Sequence, residues 1–349
     1  MTDLSWSDVL GPLLRGEDLD VGVVEQVMTT ILQGEATDAQ IAGFAVALRA
    51  KGETSAELAT LVRTMLRFGE TVTVTPGGSP LVDTCGTGGD RSGTINVSTA
   101  AALVAAGAGV RVAKHGNRAS SSKCGSADVL EALGVVIDLG PAGVARCIEE
   151  AGIGFCFAQR FHPAMRFAGP ARRELGVPTT FNFLGPLANP AGAPRRTVGV
   201  SDPEMADRVI NTLAELGVER ALVFFGHDGL DELTTTTAST VRELRGGEVH
   251  RCVVDPGDVG LPHAEPADLV GGDADTNAAV VRRVLDGEHG AARDIVALNA
   301  AGALIVAGVV DGFAPGVELA FEVIDSGAAA TTLDALIKTS CSARDAETA

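Results

Sequence analysis

The feature that most constrains the fold is a change of hydrophobic period near residue 80. Before it, Val23, Val24, Val27, Met28, Ile31 and Leu32 recur at helical spacing, as do Ile41, Phe44, Ala45 and Leu48, and then Leu58, Leu61, Val62, Met65 and Leu66. Recurrence every three to four residues gathers each set on one helix face, so the chain opens with three amphipathic helices. Thr37-Asp-Ala-Gln40 and Thr54-Ser-Ala-Glu57 have the capping-box pattern, in which two side chains satisfy backbone amides reciprocally. Gly52 and Gly69 stand where the second and third helices should end. After residue 80, short β-type runs at 81–82, 110–113, 135–137, 155–158, 198–200 and 221–225 alternate with helical stretches at 99–108, 127–133, 142–151 and 204–216. Alternation of this kind predicts βαβ units and a mostly parallel sheet. Residues 163–194, rich in Pro and Arg, interrupt it and predict a hinge region that lends helix to the amino-terminal layer. The short Thr234–Thr237 run is β-prone. The sequence thus predicts a small helical N-terminal domain, residues 1–72 joined by helices from about 170–195, and a large α/β domain, residues 73–349.

Charge narrows the partners. With 27 Lys and Arg against 45 Asp and Glu, the net charge is −18, which repels nucleic-acid phosphates and anionic lipid. Aromatic residues make up 4%, with one Trp and no Tyr, too few for platforms on which single-stranded bases stack. The six cysteines contain no C-x-x-C pair, which argues against a zinc knuckle or a disulfide scaffold and fits a reducing compartment. Asp3 and Asp8 stand where a signal peptide carries positive charge, and the longest apolar run, 300–310, is too short to cross a bilayer. The expectation is a soluble cytoplasmic protein with neither nucleic acid nor membrane as partner.

The residues that could carry chemistry cluster after the strands. Asp83-Thr-Cys-Gly-Thr-Gly-Gly-Asp90 links a strand to a helix, and its glycines let backbone amides approach an anion beside a helix amino terminus. By itself it is neither a dinucleotide fingerprint nor a P-loop, and a tight turn that binds nothing has the same composition. Asn96-Val-Ser-Thr99 offers three polar side chains to cap the following helix, and Lys114-His-Gly-Asn117-Arg118-Ala-Ser-Ser121-Ser122 follows the next strand. Loops after successive parallel strands converge at one sheet edge, so two anion-binding loops should face one crevice. Asp231-Glu232 lies in a turn after an apolar strand; paired carboxylates are hard oxygen ligands suited to Mg²⁺, and equally an exposed acidic turn. Arg166, Arg172 and Arg173 make a cationic stretch whose guanidinium forks fit a carboxylate ligand or an intrachain acid such as Glu174.

Together with Gly34-Glu-Ala-Thr-Asp-Ala-Gln-Ile41, Leu48-Arg-Ala-Lys-Gly-Glu-Thr54, Gly125-Ser-Ala-Asp128, His162-Pro-Ala-Met165, Arg173-Glu-Leu-Gly176, Phe181-Asn-Phe-Leu-Gly-Pro-Leu-Ala-Asn-Pro190, Asp228-Gly-Leu-Asp-Glu-Leu233 and Asn299-Ala-Ala, these segments resemble the anthranilate phosphoribosyltransferases of tryptophan biosynthesis along nearly the whole chain. The resemblance implies a nucleoside phosphorylase/phosphoribosyltransferase-like fold, usually a homodimer, that joins anthranilate to phosphoribosyl pyrophosphate (PRPP). It implies a PRPP site at Gly86, Thr87, Gly88, Gly89, Asp90, Thr94, Asn96, Ser98, Thr99, Lys114 and Ser121, and an anthranilate site at Gly86, His115, Asn117 and Arg172. Two Mg²⁺ ions per subunit are implied, one near Ser98 and one held by Asp231 and Glu232, and no residue stands out as general acid or base. The sequence departs from the family pattern at Gln159, often proline, at Pro178, often arginine, and at Cys124, usually serine or another small residue. A pyrimidine nucleoside phosphorylase-like enzyme and a non-catalytic nucleic-acid-binding relative are the alternatives that share the fold.

Overall fold

A computed structural model describes residues 4–90, 92–119 and 123–348. Four helices come first: α1 (Trp6–Leu14), α2 (Val21–Gln33), α3 (Asp38–Lys51) and α4 (Ser55–Arg67). The last three are those predicted by period, and both capping boxes form, with Thr37 and Gln40 closing α3 and Thr54 and Glu57 closing α4. The first was not predicted, because its nine residues include Gly11 and Pro12 and bury only Val9 and Leu13 fully.

The remainder follows in the order β1 (Val82–Gly86), α5 (Val97–Gly107), β2 (Val112–Gly116), α6 (Ser126–Ala132), α7 (Pro141–Ala151), β3 (Ile153–Phe157), α8 (Ala158–Phe161), α9 (Gly169–Leu175), α10 (Phe181–Leu187), β4 (Arg195–Gly199), α11 (Pro203–Glu215), β5 (Arg220–Gly226), β6 (Ser239–Arg245), β7 (Glu248–Val254), α12 (Ala274–Leu285), α13 (Ala291–Ala307), α14 (Phe313–Asp325) and α15 (Ala328–Thr348). The seven strands among the described residues lie in the order β3-β2-β1-β4-β5-β6-β7. The first five run parallel, and β6 and β7 return antiparallel at one edge. The fold is therefore a small helical N-terminal domain on a large α/β domain with a mostly parallel sheet.

Three local expectations fail. Residues 135–137 form no strand: Val135 and Ile137 are buried, but the Val136 amide donates to Ser340 Oγ at 3.1 Å on α15 rather than to a neighbouring strand. Thr234–Thr237 stays a loop, because Thr234 and Thr236 bind the Asp228 carboxylate instead of a ladder. Asn96 does not cap α5 with its side chain, which bonds Cys124 O and accepts from Asn277 Nδ2 at 2.9 Å.

Two apolar clusters sandwich the sheet. One joins α5, α7, α13 and α15 to β2 and β3; the other joins α2, α3 and α4 to Phe181, Leu184 and Leu187 of α10 and to α11, β4 and β5. The 163–194 segment does add helix to the amino-terminal layer, since Ala168, Ala171 and Phe181 are buried within that second cluster. A cleft is left between the helical layer and the carboxyl ends of the central strands.

Candidate active site

Strand β1 is flanked by β2 on one side and β4 on the other, so the chain leaves it in opposite directions; open α/β sheets bind ligands outside the carboxyl ends of their strands at such a point. There the cleft opens, with a volume of about 1030 Å³. The loop after β1, the loop after β2, the α9–α10 segment and the Asp231–Glu232 turn all line it. The two loops predicted to converge do so.

The floor is built from glycine, acid and one lysine. Gly88 and Gly89 have φ of 64° and 85°, conformations that cost a side-chain-bearing residue free energy. The Thr87 amide donates to Gly199 O at 2.9 Å, the Gly88 amide to Asp231 Oδ2 at 2.7 Å, and Ser201 Oγ to Gly88 O at 2.9 Å, which ties the loop to β4 and to the acidic turn. Asp90 accepts from Ser92 Oγ at 2.6 Å, and Thr94 bridges to Val270. The Ser98 amide, at the start of α5, donates to Glu232 Oε1 at 3.1 Å, so a carboxylate meets the positive end of that helix. Lys114, only 2% exposed, donates from Nζ to Thr84 O at 2.6 Å and to Ser98 Oγ at 3.3 Å. Thr99 is buried with its Oγ1 unpartnered. Ser121 lies outside the described residues.

Electrostatics make this floor short of positive charge. Burial raises the pKa of Asp231, and Asp90 adds to it; burial raises that of Glu232, and Asp231 adds to it. Burial pushes Lys114 the other way, against the pull of Asp83 and Glu232. Asp90, Asp231 and Glu232 therefore crowd together with Lys114 as the buried cation beside them, and a divalent ion is the group that would let both members of the Asp231–Glu232 pair ionise. Among the described residues no three His, Cys, Asp or Glu side chains are gathered to hold a metal unaided. The donors present, two carboxylates and the Ser98 hydroxyl, fit Mg²⁺, which takes few protein ligands and fills its octahedron with water and phosphate oxygens.

The opposite wall is different in kind. His115 Nδ1 donates to Gly185 O at 2.9 Å, its backbone amide donates to Asp83 Oδ1 at 2.9 Å, and its Nε2 is buried without a partner. His162 packs edge-on against it with ring centroids 5.1 Å apart and donates from Nε2 to Ala188 O. Burial lowers His115 to about 4 and His162 to about 3, so both rings are neutral near pH 7. Asn117 Oδ1 accepts from the Arg118 amide at 2.8 Å and from Gln159 Nε2 at 3.3 Å. Arg118 itself is tied to Asp128 and Glu131. Arg172 lines the cleft, and no ion pair joins it to Glu174 or to any other acid among the described residues. Burial alone lowers its pKa. A half-buried guanidinium without an anion is a place for a carboxylate ligand.

Sequence reasoning missed several residues that shape this site. Gly199 belongs to a strand and Arg208 reaches Glu53 across 155 positions of sequence, so no local pattern marks either; Asp83 and Glu53 lie in segments the sequence did single out, but their bonds to the His115 amide and to Arg208 were not foreseen.

Fold and cleft together define a two-part glycosyl transferase. The model of the glycosyl transferase family helical bundle domain matches residues 7–69, and that of the glycosyl transferase family a/b domain matches residues 78–330. An anthranilate phosphoribosyltransferase of a Nocardioides species is 56% identical over 336 residues, covering 95% of this chain and 97% of that protein. The crystal structure of anthranilate phosphoribosyltransferase from Thermus thermophilus superposes with a TM-score of 0.89 at 44% identity, covering 95% of this chain and 99% of that one. The Saccharomyces cerevisiae enzyme in complex with PRPP and Mg gives 0.87 at 27% identity, covering 97% and 98%. The chain belongs to the anthranilate phosphoribosyltransferase family.

Proposed function

We propose that the protein transfers the 5-phosphoribosyl group of PRPP to the amine of anthranilate, giving N-(5′-phosphoribosyl)anthranilate and pyrophosphate, a step of L-tryptophan biosynthesis. The observation that carries this reading is the pairing, within one cleft, of an acidic floor around Lys114 with the unpaired guanidinium of Arg172. A polyanionic donor and a small aromatic acid need those two environments at opposite sides of one reaction centre.

On the donor side we assign Gly86, Thr87, Gly88, Gly89, Asp90, Thr94, Asn96, Ser98, Thr99, Lys114 and Ser121. Magnesium, as two ions per subunit, would be held by Ser98 and by Asp231 with Glu232, and it supplies neutralising charge to the pyrophosphate when bound. Lys114 adds a fixed positive charge where the leaving group accumulates negative charge, in a position buried enough for it to act strongly. The loop glycines keep side chains out of the donor's path.

On the acceptor side Gly86, His115, Asn117 and Arg172 would hold anthranilate, with Arg172 on its carboxylate. An aniline nitrogen is uncharged at neutral pH and attacks without prior deprotonation, so positioning is the main requirement. His115 is fixed as the Nδ1–H tautomer by Gly185 O, which leaves a neutral Nε2 lone pair rather than a second positive charge. The helical layer over the cleft limits water as a competing nucleophile.

We further assign the division into residues 1–72 and 73–349, a homodimeric assembly and a cytoplasmic location to this reading; no helix is long and apolar enough to cross a membrane among the described residues. The test is loss of anthranilate fluorescence with the protein, anthranilate, Mg²⁺ and PRPP together, with controls lacking each. Loss that requires all four, with pyrophosphate released in step, is the expected result. Undiminished fluorescence under conditions where a known transferase works would overturn it.

A further inference from the structure

The turn joining α3 to α4, Lys51-Gly-Glu-Thr54, lies in a stretch that marks the family, yet none of it lines the cleft. Its Glu53 side chain is 0% exposed. Oε2 accepts from Arg208 Nη1 of α11 at 3.0 Å and from Arg49 Nη1 at 3.3 Å, and Oε1 accepts from Thr180 Oγ1 at 2.6 Å. Arg49 also pairs with Asp202 at the start of α11 and lies 5.2 Å from the ring centroid of Phe183 in α10. One buried carboxylate thus joins the helical layer, α11 and the residue that opens α10. The turn is shaped for this: Gly52 has φ of 91°, and a Cβ there would lie 2.9 Å from Arg208 Nη2.

The segment so held carries part of the cleft wall. Phe181 and Asn182, directly after Thr180, line it, and Gly185 O one turn later is the acceptor for His115 Nδ1. Helix α10 is therefore gripped from two sides, by Glu53 from the helical layer and by His115 from β2. Arg172, on α9, reaches the cleft from just before the same connection. A buried ion pair returns little net stability after desolvation, whereas it does specify geometry where its partners belong to separate elements.

We propose that Glu53 is a positioning residue for the acceptor side of the cleft: through Thr180 and the Arg49–Arg208 pair it fixes where the α9–α10 connection presents Phe181, Asn182 and Arg172. The inference rests on the transferase reading above. Glu53 touches no substrate, and the donor floor, built on β1, β2 and the 231–232 turn, does not depend on it.

The experiment compares the full-length wild type with Glu53→Gln, Thr180→Val and Thr180→Ser. Thr180→Val removes one hydroxyl and leaves both arginine pairs, so it tests the contact even where Glu53→Gln folds poorly. Steady-state kinetics give both KM values and kcat. Hydrogen exchange at the Asn182 and Phe183 amides, which donate to Thr179 O and Thr180 O, follows the segment without turnover. Glu53→Gln and Thr180→Val should raise the KM for anthranilate about tenfold, the loss of one charged hydrogen bond. The KM for PRPP should stay within about twofold, exchange at the two amides should quicken, and Thr180→Ser should restore the anthranilate KM. Equal rises in both KM values, or an unchanged anthranilate KM with unchanged exchange, would overturn the proposal. An inactive wild type would instead overturn the transferase reading, and the exchange comparison would then decide the role of Glu53 by itself.

Discussion

Replacement of Gly86 by alanine tests how tightly the acidic turn is held against the donor loop. A Cβ at Gly86 would lie 2.6 Å from Asp231 Oδ2 and 3.3 Å from its Cγ. Ordinary contact begins at 3.4 Å, so the carboxylate has to retreat by about 0.8 Å. It has little freedom to do so. Oδ2 is bound to the Gly88 amide at 2.7 Å, and the turn is pinned just beyond by the Asn299 amide group, which binds Leu233 N at 3.0 Å and Leu233 O at 2.8 Å. Misplacement of a catalytic group by about 1 Å costs up to about 100-fold, so Gly86→Ala should lower kcat/KM roughly 30- to 100-fold, or about 2–3 kcal/mol. The half-saturating Mg²⁺ concentration should rise with it. Because Gly86 itself faces the cleft, Gly199→Ala supplies the control: that residue, the register partner of Gly86 on β4, does not line the cleft, and a Cβ there would overlap the Asp231 carbonyl. The assay is anthranilate fluorescence across a Mg²⁺ titration, with circular dichroism to verify folding. Activity within about threefold of wild type in both folded variants would refute the claim that Asp231 has to stay where it is.

Two further outcomes follow from the electrostatics. Asp231→Asn combined with Glu232→Gln should lower turnover and weaken its dependence on Mg²⁺; an unchanged Mg²⁺ titration would remove both residues from the metal site. The histidine pair should make stability depend on pH. In the folded chain His115 titrates at about 4 and His162 at about 3, against 6.5 for a free imidazole, so below about pH 6.5 the unfolded chain binds protons that the native one excludes. The contribution of the rings to stability should therefore fall as the pH drops from 6.5 towards 4, by at most about 2 kcal/mol per ring at pH 5, while Asp231 and Glu232, raised by burial, shift stability the other way over the same range. Urea unfolding at pH 7.5 and pH 5.0 isolates the ring by difference: relative to wild type, His162→Gln should be less destabilised, or more stabilised, at the lower pH, and an equal change in both proteins would contradict the neutral pair.

Much of this architecture is legible because its signals are local. The period of 41, 44, 45 and 48 fixes α3, and Thr37 with Gln40 fixes its start, since both facts involve residues within one or two turns. The glycine loop and the 114–118 loop were recognisable as neighbours because parallel strands place successive loops at one edge. What escaped was non-local or exposed. The β6–β7 hairpin was missed because β7 is an edge strand, exposed at six of its seven positions, with no buried alternation to mark it. The apolar run at 135–137 misled in the opposite direction: the Val136 amide is taken by Ser340 of α15, 204 residues later, rather than by a strand. Asn96 looked like a helix cap, but Asn277 claims its carbonyl and Glu232 takes the Ser98 amide. That Arg172 makes no ion pair among the described residues was equally illegible, since Glu174 is near in sequence.

The division of the cleft into a donor floor and an acceptor wall is tested most directly by measuring both KM values in Lys114→Ala and in Arg172→Ala. Lys114→Ala should impair the PRPP side, raising its KM or lowering kcat while the KM for anthranilate changes little. Arg172→Ala should raise the KM for anthranilate well above any change in that for PRPP. Equal effects on both substrates in Arg172→Ala, or wild-type PRPP kinetics in Lys114→Ala, would contradict the two-sided cleft.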